Sequence, residues 1–297
     1  MPRHRTRRPA LSGLVTAAAV LLAGSAAGGA CLVGRTPDDA PAAVAAVSSA
    51  SSPSAATGRS EEPEVDLDEE LADALAPLAD GADVSVAVLD TESGAGAAYG
   101  DGAYDAASIV KVDILAALLL RAQDEGRELS GAEHAYAEAM IRRSDNTSAT
   151  ELLKVIGGEK ELDAANERLG LTGTKAAHAW GLTQTTAADQ VRLLEAVCGT
   201  DSVLSAASRA YLTELMGQVE ADQRWGVSAA GTDAVLKNGW MPRTTTGLWD
   251  VNSIGRVESG GHTLLIAVLS RGHATKEAGI ALVESVAKAA VDVTGAG

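Results

Sequence analysis

The sequence predicts an α/β fold of the α+β type, in which a five-stranded antiparallel sheet is flanked by terminal helices and joined to an all-helical lobe. Three observations predict it. Two strand-like runs lie at 83–94 and 96–101, three more lie between 233 and 272, and helical patterns fill most of the segment between them. Because strands from both ends must pair in one sheet, the central helices form a second lobe beside it.

The elements follow in order along the chain. Apolar residues recur at helical spacing in 65–81, with acidic residues in the first turn, where the helix dipole favours them. The run 83–94 alternates as a strand does and ends in turn residues, and 96–101 is its expected hairpin partner. An amphipathic helix at 274–293 closes the chain. Before it lie three strand-like runs separated by glycine-containing turns: 233–239, 248–259 and 262–272.

Composition limits the classes of protein to which this chain can belong. Its 297 residues are 46% hydrophobic, which suffices for one large domain or two packed lobes. It has no Phe and few aromatic residues, so the core is expected to consist of Leu, Val, Ile and Ala. The formal net charge of -16 disfavours nucleic acid and anionic membrane surfaces as partners.

The N-terminus predicts export. Several arginines precede an uncharged run at 9–34, so 1–34 is either a signal peptide or a membrane or lipid anchor. The motif at 6–11 fits either a twin-arginine or a plain secretory signal, and Cys31 is a candidate for lipidation. We therefore expect an extracellular or cell-surface protein whose contact with the membrane involves only this segment. Cys198 then has no partner, and a buried structural thiol is expected.

The remainder divides into a linker and one folded domain. Residues 35–64 are rich in Ala, Ser, Pro and acids without apolar periodicity, which is typical of a flexible tether. The domain is expected at 65–297. Its α/β lobe comprises 65–107 and 230–297, and its helical lobe comprises 108–229.

Ser108 and Lys111 stand three residues apart at the start of an apolar helical run. This spacing puts both side chains on one face of the helix. A serine hydroxyl is a poor nucleophile until a base takes its proton, and a desolvated lysine with a lowered pKa can serve as that base. A second pair at the same spacing, Ser285 and Lys288, lies within the C-terminal helix, where a solvated face explains both.

Two further short motifs suggest a catalytic cleft. Ser144, Asp145 and Asn146 lie between two helical segments, where a helix N-cap is the alternative explanation. Lys237 and Gly239 bracket a Lys-Asn-Gly motif at the end of a predicted strand. Neither motif is informative alone.

In this order and at these spacings, the three motifs resemble the penicillin-recognising serine hydrolases, most closely the class A β-lactamases. The resemblance covers roughly residues 65 to 295. It extends to the segments "AEAMIRRSDNTSATELLKVIGG", "TQTTAADQVRLLEAV" and "LWDVNSIGRV". It implies the fold predicted above and no cofactor or metal, with a small β-lactam or cell-wall peptide as substrate.

The resemblance also implies roles for individual residues. Ser108 would be acylated, Lys111 would activate it, and Ser144 would relay the proton to the leaving nitrogen. Asn146 would hold the side-chain amide of the substrate. Lys237 would supply a fixed positive charge for a substrate carboxylate and lower the pKa of Lys111.

The strand motif supplies the remaining contacts with substrate. The backbone amides of Ser108 and Trp240 match the oxyanion hole of the family. Asn238 replaces the usual Thr or Ser, so its amide is expected to contact the substrate carboxylate, next to Gly239. Two arginines are weaker candidates for that carboxylate, since surface arginines are usually solvated: Arg243 and Arg256.

The loop before the Thr-rich helix departs from the family. Class A enzymes carry there a glutamate that activates the deacylating water, but 169–186 is short and contains no carboxylate. His178 is a candidate substitute base, with a solvated loop histidine as the alternative. Trp180 is expected either to pack the loop or to line the cleft. Glu161 and Glu167 fit a solvated helix face.

Three functions remain open at this stage. The first is an exported serine acyl hydrolase that acts on β-lactams, or on peptidoglycan stem peptides as a D,D-peptidase. The second is a module that captures its ligand covalently without turnover. The third is a structural or interaction protein, which the intact set of motif residues disfavours, because such a protein has no need for a strained pair of mutually repelling lysines. We favour the first, with weak β-lactamase turnover.

Overall fold

The computed structural model of the chain describes residues 66–79 and 81–295. The α-helices are α1 (Leu67–Leu75), α2 (Val110–Asp124), α3 (Gly131–Arg142), α4 (Asn146–Ile156), α5 (Glu159–Arg168), α6 (Ala187–Cys198), α7 (Ala206–Gly217) and α8 (Lys276–Thr294). The strands are β1 (Asp83–Asp90), β2 (Gly96–Tyr99), β3 (Tyr104–Asp105), β4 (Gln184–Thr185), β5 (Thr232–Pro242), β6 (Trp249–Ser259) and β7 (His262–His273).

Five strands form one antiparallel sheet in the order β2-β1-β7-β6-β5. β1 pairs with β7 along its whole length, with Ala87 opposite Ala267, so strands from the two ends of the domain are neighbours. β5 lies at one edge of this sheet, and β3 and β4 form a separate small ribbon. The predicted five-stranded antiparallel sheet is confirmed.

The terminal helices cover one face of the sheet. Leu71 and Leu75 of α1 and Val283 and Val286 of α8 are fully buried in one cluster with apolar residues of the sheet. Asp66 starts α1 as its N-cap, because its carboxylate accepts hydrogen bonds from the first backbone amides. This layer matches the predicted terminal helices.

The helical lobe covers the opposite face, with α2 at its centre. α2 is buried along most of its length, as expected for a helix that is apolar on nearly all sides. One residue from each surrounding helix illustrates the cluster around it: Met140, Leu152, Leu162, Leu194 and Leu215. The predicted all-helical lobe is therefore present.

Strand alternation decides which residues of β5 face the helical lobe. Val235 belongs to the cluster on the lobe side and Leu236 to the cluster on the terminal-helix side. Because successive side chains of a strand point to opposite faces, Lys237 and Gly239 face the lobe. The Lys-Asn-Gly motif thus lies where the sheet meets the helices.

Cys198 ends α6 and packs against the helical core. It is partly buried and is not bonded to another cysteine within the described part of the chain. Burial raises the pKa of its thiol to about 11, so the thiolate form is disfavoured. These properties agree with the expected structural thiol.

Within residues 66–79 and 81–295, no helix combines the length and the apolar character needed to cross a membrane. The predicted export or anchor segment at 1–34 and the predicted linker at 35–64 lie outside the described residues.

Gly279 allows α8 to approach the sheet closely. A Cβ atom at this position would lie 2.4 Å from Val251 Cγ2 and 2.8 Å from His273 Cδ2. We predict that Gly279→Ala lowers the free energy of unfolding by about 1–3 kcal/mol through overpacking, although alanine is the better helix former. Urea unfolding followed by circular dichroism measures it.

Gly131→Ala is the matched control for this substitution. Gly131 is the first residue of α3, and a Cβ atom there meets nothing within 4 Å. The free energy of unfolding of Gly131→Ala is expected to equal that of the unchanged protein or to rise slightly. Equal stability of both variants would contradict the importance of the close contact between α8 and β6.

Candidate active site

Ser108 and Lys111 lie together where α2 begins. Ser108 is the middle residue of a 3-10 turn, Ala107–Ile109, that leads directly into α2. Lys111 follows one helical turn later, and its Nζ lies 2.9 Å from Ser108 Oγ. Ala107 has a positive φ of 48°, an uncommon conformation for a residue with a side chain.

Ser144 and Asn146 reach Lys111 from the loop between α3 and α4. Lys111 Nζ donates hydrogen bonds to the backbone oxygen of Ser144 at 2.7 Å and to Asn146 Oδ1 at 2.8 Å. Ser144 adopts a φ of 57°, and Asp145 caps α4 by accepting from the backbone amide of Ser148. The motif therefore serves both as a helix cap and as a cleft wall.

The hydrogen-bond partners of Lys111 can accommodate a neutral amine. Four oxygen atoms lie within 3.0 Å of Nζ, and two of them, Ser144 O and Asn146 Oδ1, can only accept hydrogen bonds. A neutral amine has two N–H donors and one lone pair. When its donors serve these two acceptors, the lone pair remains for a hydroxyl proton from Ser108 or Ser144.

Lys237 enters the same cleft from β5. Its Nζ donates to Ser144 Oγ at 3.0 Å and to the backbone oxygen of Asn238 at 2.8 Å. Lys111 Nζ lies 3.0 Å from the same Ser144 hydroxyl, and both lysine residues are 0% exposed. One hydroxyl group thus bridges two buried lysine nitrogens.

Burial controls the charge of this pair. It lowers the pKa of Lys111 to about 7, against the opposing effect of the Asp145 carboxylate. Burial, and then the charge of Lys111, lowers the pKa of Lys237 well below its usual value. The fixed charge expected on Lys237 stays a prediction, and burial is the main cause of the lowered pKa of Lys111.

Gly239 brings β5 against the turn that carries Ser108. An added Cβ atom would lie 2.8 Å from both Ala106 O and Ser108 N. Only glycine permits this approach. It puts the backbone of β5 beside the amide of Ser108, as a two-amide oxyanion hole with the amide of Trp240 requires. That role stays a prediction.

The indole of Trp240 lies on the other face of the sheet. Its ring centroid is 5.9 Å from that of Trp225, and Lys276 Nζ lies 4.0 Å from its centroid. Only the backbone of Trp240 is therefore available to the cleft.

Asn238 does not face the cleft. It is 1% exposed, and its Nδ2 donates to the backbone oxygens of Gln223 at 2.8 Å and Trp225 at 2.9 Å. The expectation that its amide contacts a substrate carboxylate is wrong, because a strand that points Lys237 into the cleft points the next side chain away. Asn238 instead holds the segment before β5.

Trp180 lines the cleft from the shortened loop. Lys111 Nζ lies 4.8 Å from the ring centroid, and Trp180 Nε1 donates to Thr150 Oγ1 at 3.2 Å. The side chain of His178 is fully exposed and lies 3.9 Å from Glu159. His178 is therefore a solvated loop histidine, the alternative given for it above, and its position does not support a substitute base.

The two candidate arginines are engaged elsewhere. Arg243 pairs with Asp105 and lies 3.6 Å from Asp250, beyond the end of the cleft. Arg256 lies 3.9 Å from Glu258 on the same strand. Neither residue makes a hydrogen bond to the lysine pair within the described part of the chain.

Asn252 of β6 is a supporting residue that the sequence reasoning missed. Its Nδ2 donates to the backbone oxygens of Asp105 at 2.9 Å and Ala106 at 3.2 Å, and Ala106 N donates to the backbone oxygen of Thr183. These bonds hold the chain as it enters the turn before α2. The signal available in the sequence was a polar residue, Asn252, within a predicted strand. In the structure Asn252 is fully buried, and buried polar groups need partners.

One group of side chains elsewhere in the described residues has the composition of a metal site. Ligand atoms of Asp90, Glu92 and His262 lie within 4.8 Å of one another, across two turns at the opposite end of the sheet. Spacing along the sequence does not reveal it. Asp90 Oδ2 accepts from Ser93 Oγ and is bonded to His262 Nδ1, and these bonds account for its burial.

Comparisons with known proteins agree with this geometry. A profile of the β-lactamase enzyme family matches residues 134–294. No curated protein sequence matches the chain. A class A β-lactamase from Bacteroides cellulosilyticus has 16% identity and a TM-score of 0.67, covering 79% of this chain and 100% of that one.

Two further solved structures are similar. A β-lactamase from Burkholderia phymatum has 19% identity and a TM-score of 0.66, with 77% of this chain and 100% of that chain covered. A variant of the last common ancestor of Gram-negative bacteria class A β-lactamase has 26% identity and a TM-score of 0.62, with coverages of 76% and 97%. The family profile spans more than half of the chain, and these structures share its fold; the chain therefore belongs to the β-lactamase enzyme family and is a serine hydrolase of the β-lactamase type.

Proposed function

We propose that this chain is an exported serine hydrolase that opens β-lactams through an acyl-enzyme at Ser108 and releases the product slowly. One observation carries the proposal. Lys111 Nζ lies 2.9 Å from Ser108 Oγ in a fully buried site, and burial lowers its pKa to about 7. A neutral amine at this distance is a base for the hydroxyl proton.

Acylation proceeds in two proton transfers. Ser108 Oγ attacks the lactam carbonyl carbon while its proton passes to Lys111 Nζ, and the carbonyl electron pair moves to oxygen. The C–N bond then breaks as the carbonyl re-forms, and the proton passes from Lys111 through the Ser144 hydroxyl to the leaving nitrogen. The bridging position of Ser144 Oγ, 3.0 Å from Lys111 Nζ, supports this relay.

The developing oxyanion needs donors that are already in position. The amides of Ser108 and Trp240 serve this purpose, because Gly239 brings the two segments of backbone together. Asn146 presents its side chain at the cleft, where it orients Lys111 and meets the side-chain amide of the substrate.

Lys237 recognises an anionic substrate. Its pKa is lowered by burial and by Lys111, and an arriving carboxylate acts in the opposite direction. Substrate binding therefore stabilises the protonated form of Lys237 and pairs the two charges. This coupling favours β-lactams that carry a carboxylate beside the ring nitrogen.

Slow release follows from the short loop. Segment 169–186 contains no carboxylate, and Trp180 covers Lys111 from that side. Hydrolysis of an acyl-enzyme is fast only when a positioned base activates water, a contribution of about 10²–10⁴-fold. The ester at Ser108 is therefore expected to persist.

A second candidate function is favoured by the same loop. A D,D-peptidase acting on cell-wall stem peptides uses the same acylation and is trapped by penicillin as a stable ester. Covalent capture without turnover is the case in which the ester forms and is not hydrolysed. The lifetime of the adduct formed with penicillin, compared with release of a D-alanine from a stem peptide, separates these functions.

Export remains part of the proposal on sequence grounds. The arginines before the uncharged run at 9–34 support it. Fractionation of cells that express the full chain locates the protein, and Cys31→Ala tests lipidation by the loss of a lipid mass.

We predict that Ser108→Ala abolishes the covalent adduct with benzylpenicillin, because the Ser108 hydroxyl lies 2.9 Å from Lys111 Nζ and the Ser108 amide lies against β5 at Gly239, where the oxyanion is expected. Intact-mass spectrometry over time measures it. Ser285→Ala is the matched control and retains the adduct, since the Ser285 hydroxyl donates to the backbone oxygen of Ala281 on an outer helix. An adduct that survives in Ser108→Ala would refute the choice of nucleophile.

We predict a pH dependence set by Lys111. The neutral amine is the active base, and the pKa of Lys111 is about 7. The second-order rate constant of acylation therefore falls about tenfold per pH unit below that value and levels off above it. Stopped-flow acylation by benzylpenicillin from about pH 5 to about pH 9 measures it. A flat profile would contradict a lysine base.

We predict that Trp180→Glu shortens the lifetime of the adduct by about 10²-fold, because it places a carboxylate base beside Lys111. Trp180→Gln is the matched control, with the same size but no basic group. Decay of the adduct mass after removal of free drug measures both. Equal lifetimes in the two variants would contradict the view that release lacks a base.

A further inference from the structure

A cavity of about 400 Å³ lies at the end of the sheet where β5 and β7 end and β6 begins. Its lining is charged but mixed in sign. We call it the Arg243 pocket, and its charged and amide lining residues are Asp83, Asp105, Asp250, Arg243, Arg271 and Gln184.

Both guanidinium groups of the Arg243 pocket already have partners. Arg271 Nε lies 2.6 Å from Asp83 Oδ2. Arg243 pairs with Asp105, whose carboxylate also accepts from Gln184 Nε2. Two of the three carboxylates are therefore neutralised within the pocket.

Asp250 is the carboxylate that remains. It is 5% exposed, and its side chain accepts no hydrogen bond from any described residue. Its closest cationic atom is Arg243 Nη1 at 3.6 Å, which is committed to Asp105. Desolvation raises the pKa of Asp250. Asp250 therefore shares one guanidinium group with Asp105, and its carboxylate lines the cavity without a direct hydrogen-bond donor, which leaves a place for one more cationic donor.

The Arg243 pocket shares its face of the sheet with the catalytic cleft. Asp250 lies opposite Met241 in the register of β5 and β6. Met241 is two residues beyond Gly239, a separation of about 7 Å along a strand, and Gly239 lies against the amide of Ser108. A register shift between Trp249 and Val251, of the kind that redirects side chains, flanks Asp250.

The orientation of the substrate points its acyl side chain towards this pocket. Under the proposed function, its carboxylate meets Lys237 and its reacting carbonyl lies beside Gly239. The acyl side chain therefore continues along β5 towards Met241. The side chain of Met241 is flexible and only partly buried, so it can move to let a substituent pass.

We propose that the Arg243 pocket binds an ammonium group at the end of the acyl side chain of the substrate, with Asp250 as its counter-ion. The inference rests on the proposed function and names its substrate class: amides or β-lactams whose acyl side chain ends in a primary amine. An ammonium supplies the donors that Asp250 lacks. Gln184 directs its amide nitrogen to Asp105, so its oxygen is a second acceptor.

The test compares penicillins that differ in one charge. The acylation rate constant of a penicillin with an ω-aminohexanoyl side chain is measured by intact mass against that of its N-acetylated counterpart. We expect the penicillin with the free amine to acylate Ser108 about tenfold faster than its N-acetylated counterpart. A factor of this size is what one well-formed ion pair contributes. An ω-aminopropanoyl chain is too short to reach the pocket and shows no preference.

Asp250→Asn reduces this ratio to about one. The ratio compares two substrates on the same protein, so a general loss of activity cancels. Asp73→Asn is the matched control, because it removes the same charge from an exposed position on α1 and leaves the ratio unchanged. If Asp250→Asn does not fold, the inference is still tested on the unmodified protein. The rates of the ω-aminohexanoyl penicillin, its N-acetylated form and the ω-aminopropanoyl penicillin show whether a terminal ammonium group at that distance is recognised.

The outcomes are distinct. Equal rates for the amine and its N-acetyl form, with an adduct at Ser108, overturn this inference and leave the proposed function standing. A preference that survives in Asp250→Asn overturns the role of Asp250. Absence of any adduct with every penicillin overturns the proposed function itself, and the inference with it.

Discussion

The burial of two lysine side chains around one serine hydroxyl is the constraint on which the rest of this structure depends. Lys111 and Lys237 are both 0% exposed, and Ser144 Oγ lies 3.0 Å from each nitrogen. Two charged ammonium groups in such a place are unfavourable, so their pKa values fall and a neutral amine is available near neutral pH. The folding energy of two apolar clusters keeps the pair buried, and the same burial makes Lys111 a base.

The cleft exists because an edge strand and a helix start meet at very short range. Gly239 permits β5 to touch the turn that carries Ser108, and Asn252 ties the preceding residues to β6. The nucleophile is thus held by the sheet on one side and by α2 on the other. This double attachment explains why Ala107 can keep a positive φ angle that would relax in an isolated loop.

The short loop at 169–186 affects acylation and hydrolysis of the acyl-enzyme differently. Everything needed for acylation comes from the sheet and the helical lobe, whereas the group that would activate water in the class A enzymes this chain resembles would come from this loop. Here Trp180 occupies that side of Lys111 and His178 points to solvent. Under the proposed function, acylation uses rigid elements and release is left to unassisted water.

The sequence by itself determined the five strands, the terminal helices and the helical lobe, because periodicity acts over short distances. The resemblance of its three motifs to a known family singled out the set Ser108, Lys111, Ser144 and Lys237. Only the tertiary structure decided which way Asn238 points, that His178 is solvated, that Asn252 supports the nucleophile, and that Asp250 is left without a donor. Local patterns specify the chemistry and period of a segment. The direction and partners of a side chain, and hence the pKa of a buried group, depend on segments far away in the chain that fold against it.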